Sequence, residues 1–237
     1  MIMLSGDLHG NALGELSAIN SKKVKAKCKT PEQIKYHIIL GDCGFLFGGS
    51  HKEIDKSDKY LQSWFNSKDY ITLCVFGNHE NYDKLLSLPK VDIGIGETVY
   101  KVSDKIYYLQ RGKIYNIEDK KFLVLGGGES IDKASRIPGL DWWKQEQWSY
   151  SEQEDLVNLL KNVAEVDYIV SHTAPDDFID FLEIHLKHSL REYEDNTVKI
   201  NNYVNGIIKF NHWYCGHYHT TLTRKYYTCL YKDIKFI

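Results

Sequence analysis

Seven residues with metal-ligating side chains recur in one kind of place along the chain: Asp7, His9, Asp42, Asn78, His172, His217 and His219. Five of them (Asp7, Asp42, Asn78, His172 and His217) lie just after a short apolar run, on a polar turn that often contains glycine. In open α/β sheets ligands bind beyond the carboxyl ends of strands. Five such ends would therefore converge if their strands lay side by side. Asp7-x-His9 and His217-x-His219 are i, i+2 pairs, which present both side chains to one side of an extended segment. Seven nitrogen and oxygen donors are too many for one closed tetrahedral zinc site. They suit two ions that share a bridging carboxylate. Imidazole combined with carboxylate and amide oxygen favours Mn, Fe or Zn over calcium.

Taken singly, each of these residues has a plainer reading. Asp-Leu-His caps a helix as readily as it binds a metal, and Gly-Asp is a common turn. His37, His51, His185, His188 and His212 have no partners in their surroundings and read as structural or solvated. The joint occurrence of the seven in one order carries the metal reading.

The elements that must position them follow from apolar spacing. Strands are expected at Met1–Ser5, Tyr36–Leu40 and Ile71–Phe76. Each leads through a polar turn toward a helix, marked by Leu13, Leu16 and Ile19, then by Ile54, Leu61 and Phe65, and finally by a run ending at Leu88 before Pro89. Strands alternating with helices imply a mainly parallel sheet. From Ile106 the spacing tightens through IYYL, KIYNI and KFLVLGG, as in a meander. A helix is expected over Ser149–Ala164 with Ser151 and Glu154 as its capping box, then a strand DYIVS. A further helix is expected over Asp177–Asn196, and closing strands in FNHWYC, YYTCLY and IKFI. No Ser/Gly/Pro linker interrupts the chain. Residues 1–237 are expected to form one domain, with a helical side wall or lid at about 176–209.

Composition limits the function classes. The chain has 237 residues, and 30 Lys+Arg against 32 Asp+Glu leave a net charge of -2, so no global field draws nucleic acid or an anionic membrane. The lysine run Lys22–Lys29 reads as a solvated helix face. No run reaches the length of a membrane span, and MIMLSGDLHG lacks the basic start of a secretory signal. Five widely spaced cysteines without a CxxC pair suit reduced thiols and a cytoplasmic location. Only four arginines are present. Arg136, in a loop between Gly126-Gly127-Gly128 and Pro138-Gly139, either forks onto a phosphate oxygen or pairs with Asp132 or Glu129. Trp142, Trp143 and Trp148 line a groove or pack beneath that loop. Arg111 reads as structural.

The order Asp7-x-His9, Gly41-Asp42, Gly77-Asn78-His79-Glu80, His172, Gly216-His217-x-His219 resembles the calcineurin-like metallophosphoesterase superfamily over residues 5–219. The blocks LVLGGGESIDKASR and SHTAP look like a microbial or phage-type branch related to the Ser/Thr protein phosphatases. The resemblance implies an α/β fold, a four-layer α-β-β-α sandwich of two mixed sheets with a dinuclear centre between the sheet ends. It implies one metal on Asp7, His9, Asp42 and His219. A second metal falls on Asp42, Asn78, His172 and His217, with Asp42 bridging. His79 becomes the unligated histidine beside the leaving group, and Glu80 orders the turn. The Ser/Thr phosphatases carry a later aspartate and an arginine in the second motif. Here Phe45 takes the aspartate's place and no arginine follows.

The implied activity is a divalent-metal-dependent phosphoesterase that hydrolyses a phosphate mono- or diester by a metal-bridging hydroxide. Asp42, His79 and Arg136 are its expected catalytic residues, and Mn2+ its first-choice metal, ahead of Fe, Zn, Ni or Mg. Expected partners are a phosphate-ester small molecule, a nucleotide or a phosphoprotein; nucleic acid is not favoured. The competing readings are a Ser/Thr protein phosphatase, a nuclease or nucleotide phosphodiesterase, and a non-catalytic metal-binding scaffold.

Overall fold

In the computed structural model, residues 1–10, 19, 21–47, 56–190 and 195–237 are described. Two sheets organise them. The first contains β1 (Ile2–Ser5), β2 (Tyr36–Ile39), β3 (Ile71–Cys74), β4 (Lys90–Val91), β5 (Val99–Lys101), β6 (Ile106–Leu109) and, from the far end of the chain, β13 (Ile234–Phe236), in the order β13-β1-β2-β3-β6-β5-β4. β1, β2, β3 and β6 run parallel to one another, as the strand–helix alternation predicts, while β13 pairs antiparallel to β1, β5 to β6 and β4 to β5. The second sheet contains β7 (Lys113–Ile117), β8 (Lys120–Leu125), β9 (Glu165–Ser171), β10 (Lys209–Cys215), β11 (Leu222–Arg224) and β12 (Tyr227–Cys229), in the order β11-β12-β10-β9-β8-β7.

Alternation along the central strands builds four layers. In β1, Ile2 and Leu4 point one way and Met3 the other; β2 repeats this with Ile38 opposing Ile39, and β3 with Leu73 opposing Cys74. Ile2, Leu4, Ile38 and Leu73 meet Tyr115, Phe122, Val124, Val170 and Tyr214 from the second sheet, so the two sheets pack face to face. Met3, Ile39 and Cys74 instead face α2 (Lys56–Asn66) and α3 (Tyr82–Ser87) through Leu61, Phe65, Tyr82 and Leu85. On the opposite outer face, Leu123, Ile169 and Trp213 are covered by α4 (Tyr150–Leu160), α5 (Asp176–Leu186) and α6 (Asn196–Ile207). The α-β-β-α layering implied by the resemblance is present.

Several local expectations change. β6 is not part of a meander with the next two strands: it pairs parallel to β3, and the chain then crosses to the second sheet, where β7 and β8 form a hairpin. The helix expected over Asp177–Asn196 ends at Leu186, because Lys187 turns into the left-handed region (φ 59°) and its N–H caps onto the Glu183 carbonyl. A separate helix, α6, begins at Asn196. Both bury their apolar faces against the second sheet. They contribute to the outer layer of the sandwich, and Leu186, the last residue of α5, with His188, Ser189 and Leu190 after it, borders the site. The capping box of α4 is Ser149 with Glu152, two residues earlier than Ser151 with Glu154. The lysine run forms a short helix, α1 (Ser21–Lys27), with no buried residue, in keeping with a solvated face. Leu13, Leu16, His51 and Ile54 lie outside the described residues.

Candidate metal centre

The carboxyl ends of β1, β2 and β3 in one sheet and of β9 and β10 in the other meet at one edge of the sandwich. Asp7 and His9 follow β1, Asp42 follows β2, Asn78 follows β3, His172 follows β9 at once, and His217 and His219 follow β10. The tightness of these turns shows in the backbone: His9, Asp42, His217 and His219 all have φ between 46° and 68°. Such values are uncommon for residues with a side chain and cluster at functional sites. Two flanking glycines are needed for a different reason. A Cβ on Gly77 would overlap both the Asp42 carboxylate and the Asp42 backbone nitrogen, and one on Gly41 would overlap the His172 ring. These glycines give room to ligating side chains.

All seven candidate ligands come together. His9 Nε2 and His219 Nε2 stand 3.0 Å apart, with Asp7 Oδ2 3.2 Å from His219 and 3.9 Å from His9. Around the buried His172, Nε2 lies 2.9 Å from Asn78 Oδ1, 3.4 Å from Asp42 Oδ1 and 3.2 Å from His217 Nδ1. Among the described residues two compact His/Asp groups result: Asp7, His9 and His219, and Asp7, Asp42 and His172. The carboxylate common to both is Asp7, where the resemblance implies Asp42. Asp42 nevertheless lies 3.8 Å from His9 Nε2 as well as beside His172, so both carboxylates face both groups. Their orientation is set by backbone donors. The His217 N–H reaches both oxygens of Asp7 at 2.9 and 3.1 Å, and the His79 N–H reaches Asp42 Oδ1 at 2.8 Å.

The donor chemistry fits a pair of divalent cations. His172 Nδ1 points at the Leu40 carbonyl at 2.8 Å and must carry the proton there. Its Nε2 then offers a lone pair to surroundings that are themselves acceptors, Asn78 Oδ1 and Asp42 Oδ1. Lone pairs converging on lone pairs call for a positive charge between them. The electrostatics show the same demand for positive charge. Burial disfavours a charged His172, yet the carboxylates of Asp42 and Asp7 and the Leu40 carbonyl overcome it and push its pKa up to about 10, so without a cation between the ligands a second proton takes Nε2. Burial likewise opposes the ionised form of Asp42, but the neighbouring histidines hold it below the ordinary carboxylate range.

His79 and Arg136 stand at the rim. Arg136 Nη2 is 3.4 Å from His79 Nε2, while its Nε pairs with Asp132 at 2.7 Å and its Nη1 donates to the Asp141 carbonyl at 2.9 Å. Of the two sequence readings of Arg136, the ion pair with Asp132 is present. Burial, with the Arg136 charge beside it, lowers the pKa of His79 against the pull of Asp42. Phe45 is fully buried with its ring centroid 4.8 Å from that of Phe65, so it belongs to the core. Glu80 accepts from the Cys43 N–H and the Tyr108 hydroxyl, which ties the turn after β3 to the turn after β2. Burial first, then the Asp42 charge, raises its pKa to about 8.

A groove of about 570 Å³ opens above the ligands, within the range of small-molecule sites. Ile131, Asp132 and Arg136 form one wall, and Leu186, His188 and Leu190 the other. His188, expected to be a bystander, is therefore part of the groove, and nothing in its local sequence signals that. The three tryptophans are anchored in packing: Trp142 Nε1 donates to Glu146, Trp143 Nε1 to Asp83, and Trp148 Nε1 to the Gly126 carbonyl. Arg111 is structural as expected, bridging to Glu152 and to the Glu146 and Gln147 carbonyls. The sequence reading missed two buried residues, Ser130 and Glu146, which stand directly behind Asn78. Ser130 follows β8 much as the ligands follow their own strands, and that position was its only signal.

No helix among the described residues is long and apolar enough to cross a membrane. Among curated proteins, none matches the chain significantly. The family model for the calcineurin-like phosphoesterases matches residues 1–221. With two His/Asp groups sharing a carboxylate where the two sheets of an α-β-β-α sandwich meet, and with that match across nearly its whole length, the chain belongs to the calcineurin-like phosphoesterase family.

Proposed function

We propose that the chain is a divalent-metal-dependent phosphoesterase that hydrolyses a phosphate mono- or diester of small size. The observation that carries this is the pairing of the two His/Asp groups around Asp7 with Arg136 and His79 at the mouth of the same groove. Asp7, His9 and His219 would hold one ion and Asp42, Asn78, His172 and His217 the other, with Asp7 and Asp42 between them; Mn2+ suits this mixture of imidazole and oxygen. Two such ions supply an activated water near neutral pH and neutralise charge on the phosphate.

The chain's own residues do the rest. Arg136 is held on two sides by Asp132 and the Asp141 carbonyl, which leaves Nη2 to meet a phosphate oxygen without reorganisation. Before substrate binds, His79 is neutral, since burial and Arg136 disfavour its charge. A phosphate oxygen paired with Arg136 offsets that charge, so His79 would take up a proton from solvent at Nε2 and pass it to the leaving oxygen. Among the described residues lining the groove, Arg136 is the only lysine or arginine, which favours a compact ester over a nucleic-acid strand. The five buried, free cysteines suit a reducing, cytoplasmic setting.

The test is turnover across p-nitrophenyl phosphate, its bis ester, cyclic nucleotides, a phosphopeptide and single-stranded DNA, with Mn2+, Ni2+, Zn2+ or Mg2+. Metal-dependent hydrolysis of at least one small ester, lost in the Asp42→Asn, His79→Asn double variant, is expected. Activity no higher than that variant's on every substrate would overturn the proposal. Hydrolysis of DNA alone would replace it with the nuclease reading.

A further inference from the structure

A side-chain amide is a usable ligand only when its oxygen, not its nitrogen, faces the metal, and nothing in the amide itself decides this. At Asn78 the decision is made behind the site. Asn78 Nδ2 donates to Ser130 Oγ at 3.1 Å, and Ser130 Oγ donates onward to Glu146 Oε2 at 2.8 Å. Glu146 is 1% exposed, and its other oxygen accepts the Ser130 N–H at 2.9 Å and the Trp142 indole N–H at 2.8 Å. A carboxylate only accepts. It therefore takes the single hydroxyl proton of Ser130, leaving Oγ with lone pairs alone toward Asn78. Only the amide NH2 can answer them, so Oδ1 is turned to the site, 2.9 Å from His172 Nε2.

We infer that Ser130 and Glu146 form a positioning pair that fixes the Asn78 amide with its oxygen toward the metal centre. The inference rests on the reading of this site as a metal centre. Glu146 also reaches the rim. Through Trp142 it anchors the segment whose Asp141 carbonyl holds Arg136, so one buried carboxylate sets both a metal ligand and the phosphate-facing arginine. Burial pushes the Glu146 carboxyl above its ordinary range, and the three donors oppose that shift. Beyond the position of Ser130 after β8, the sequence does not mark this pair, because Ser130 and Glu146 lie 52 and 68 positions beyond Asn78.

The experiment measures metal affinity rather than turnover. Chelator-stripped protein is titrated with MnCl2 by calorimetry, and its metal-free melting temperature is recorded beside each titration. Ser130→Ala is expected to weaken Mn2+ binding at one of two sites by roughly 10- to 100-fold, with the metal-free melting temperature unchanged. Ser130→Thr, which keeps the hydroxyl, should restore binding. Glu146→Gln lets the Ser130 hydroxyl turn and donate to Asn78, and should weaken the same site. The decisive comparison uses Asn78→Asp. Both outer atoms of the new side chain are oxygens, so orientation no longer matters, and adding Ser130→Ala should change affinity by less than about twofold. An equal loss from Ser130→Ala in both backgrounds, or no loss in either, overturns the inference. So does a loss that appears only alongside a lower metal-free melting temperature. Absence of ester turnover would fall on the proposed function and leave these titrations readable.

Discussion

His37 offers the sharpest quantitative test of the core. Its ring is fully buried in β2, with Nε2 2.8 Å from Ser5 Oγ, the Phe65 ring stacked at 6.1 Å and the Tyr70 ring edge-on at 5.6 Å. Nδ1 has no partner. A proton on this ring would place a charge among neutral groups, and burial accordingly depresses the pKa from 6.5 to about 3. Between those values the unfolded chain binds a proton that the folded chain refuses, so stability is full above pH 6.5 and declines as pH falls toward 3. At about 1.4 kcal/mol per pKa unit, the decline amounts to about 2 kcal/mol between pH 7.5 and 5.0 and about 5 kcal/mol over the whole window. His37→Gln keeps a donor or acceptor for Ser5 and removes the titration. Urea unfolding of both proteins at the two pH values, in excess chelator, isolates the effect as a difference of differences. Acidification to pH 5.0 should cost the parent about 2 kcal/mol more than the variant. Equal acid losses in the two proteins would refute the reasoning.

Three further outcomes follow from the site and its supports. Gly77→Ala forces a methyl into Asp42 and its backbone nitrogen, and should abolish Mn2+ binding at one site or more, read by calorimetry. Arg136→Ala should raise KM for p-nitrophenyl phosphate by roughly tenfold or more, with Arg136→Lys giving little recovery because a point charge cannot replace the anchored fork. Arg111→Met should lower unfolding stability by about 2 kcal/mol, since it takes the guanidinium donor from Glu152 Oε1 and from two backbone carbonyls, as urea titration would register.

The parts of the molecule legible in sequence are those in which a local pattern and a global role coincide. Strands such as Ile2–Ser5, Tyr36–Ile39 and Ile71–Cys74 are apolar on both faces because both faces are covered, and each stops at a polar turn that holds a ligand. That is why the seven converging residues were readable without coordinates. β4 and β5, of two and three residues, are too short to show alternation. Ser149-x-x-Glu152 has the same spacing as Ser151-x-x-Glu154, and the cap falls on Ser149, with Arg111 holding the Gln147 carbonyl and Trp148 the Gly126 carbonyl just before it. The halt of α5 at Lys187 uses a left-handed residue that is not glycine, so nothing in the local sequence announces it. His188, Ser130 and Glu146 act through partners far away in sequence, and such contacts leave no period to read.

The proposed ligands are divided between two sheets that are joined, at this edge, by side chains rather than by a shared strand. Asp7, His9, Asp42 and Asn78 ride on one sheet, and His172, His217 and His219 on the other. Metal affinity is then a gauge of how the two sheets lie against each other. A methyl deleted from the buried interface at Val124, which contacts no proposed ligand by hydrogen bond, should let one layer settle on its neighbour and shift the three histidines with it. A weakened metal site in such a variant reports misalignment of the sandwich, and tuning that interface offers a route to altering the centre without touching a ligand.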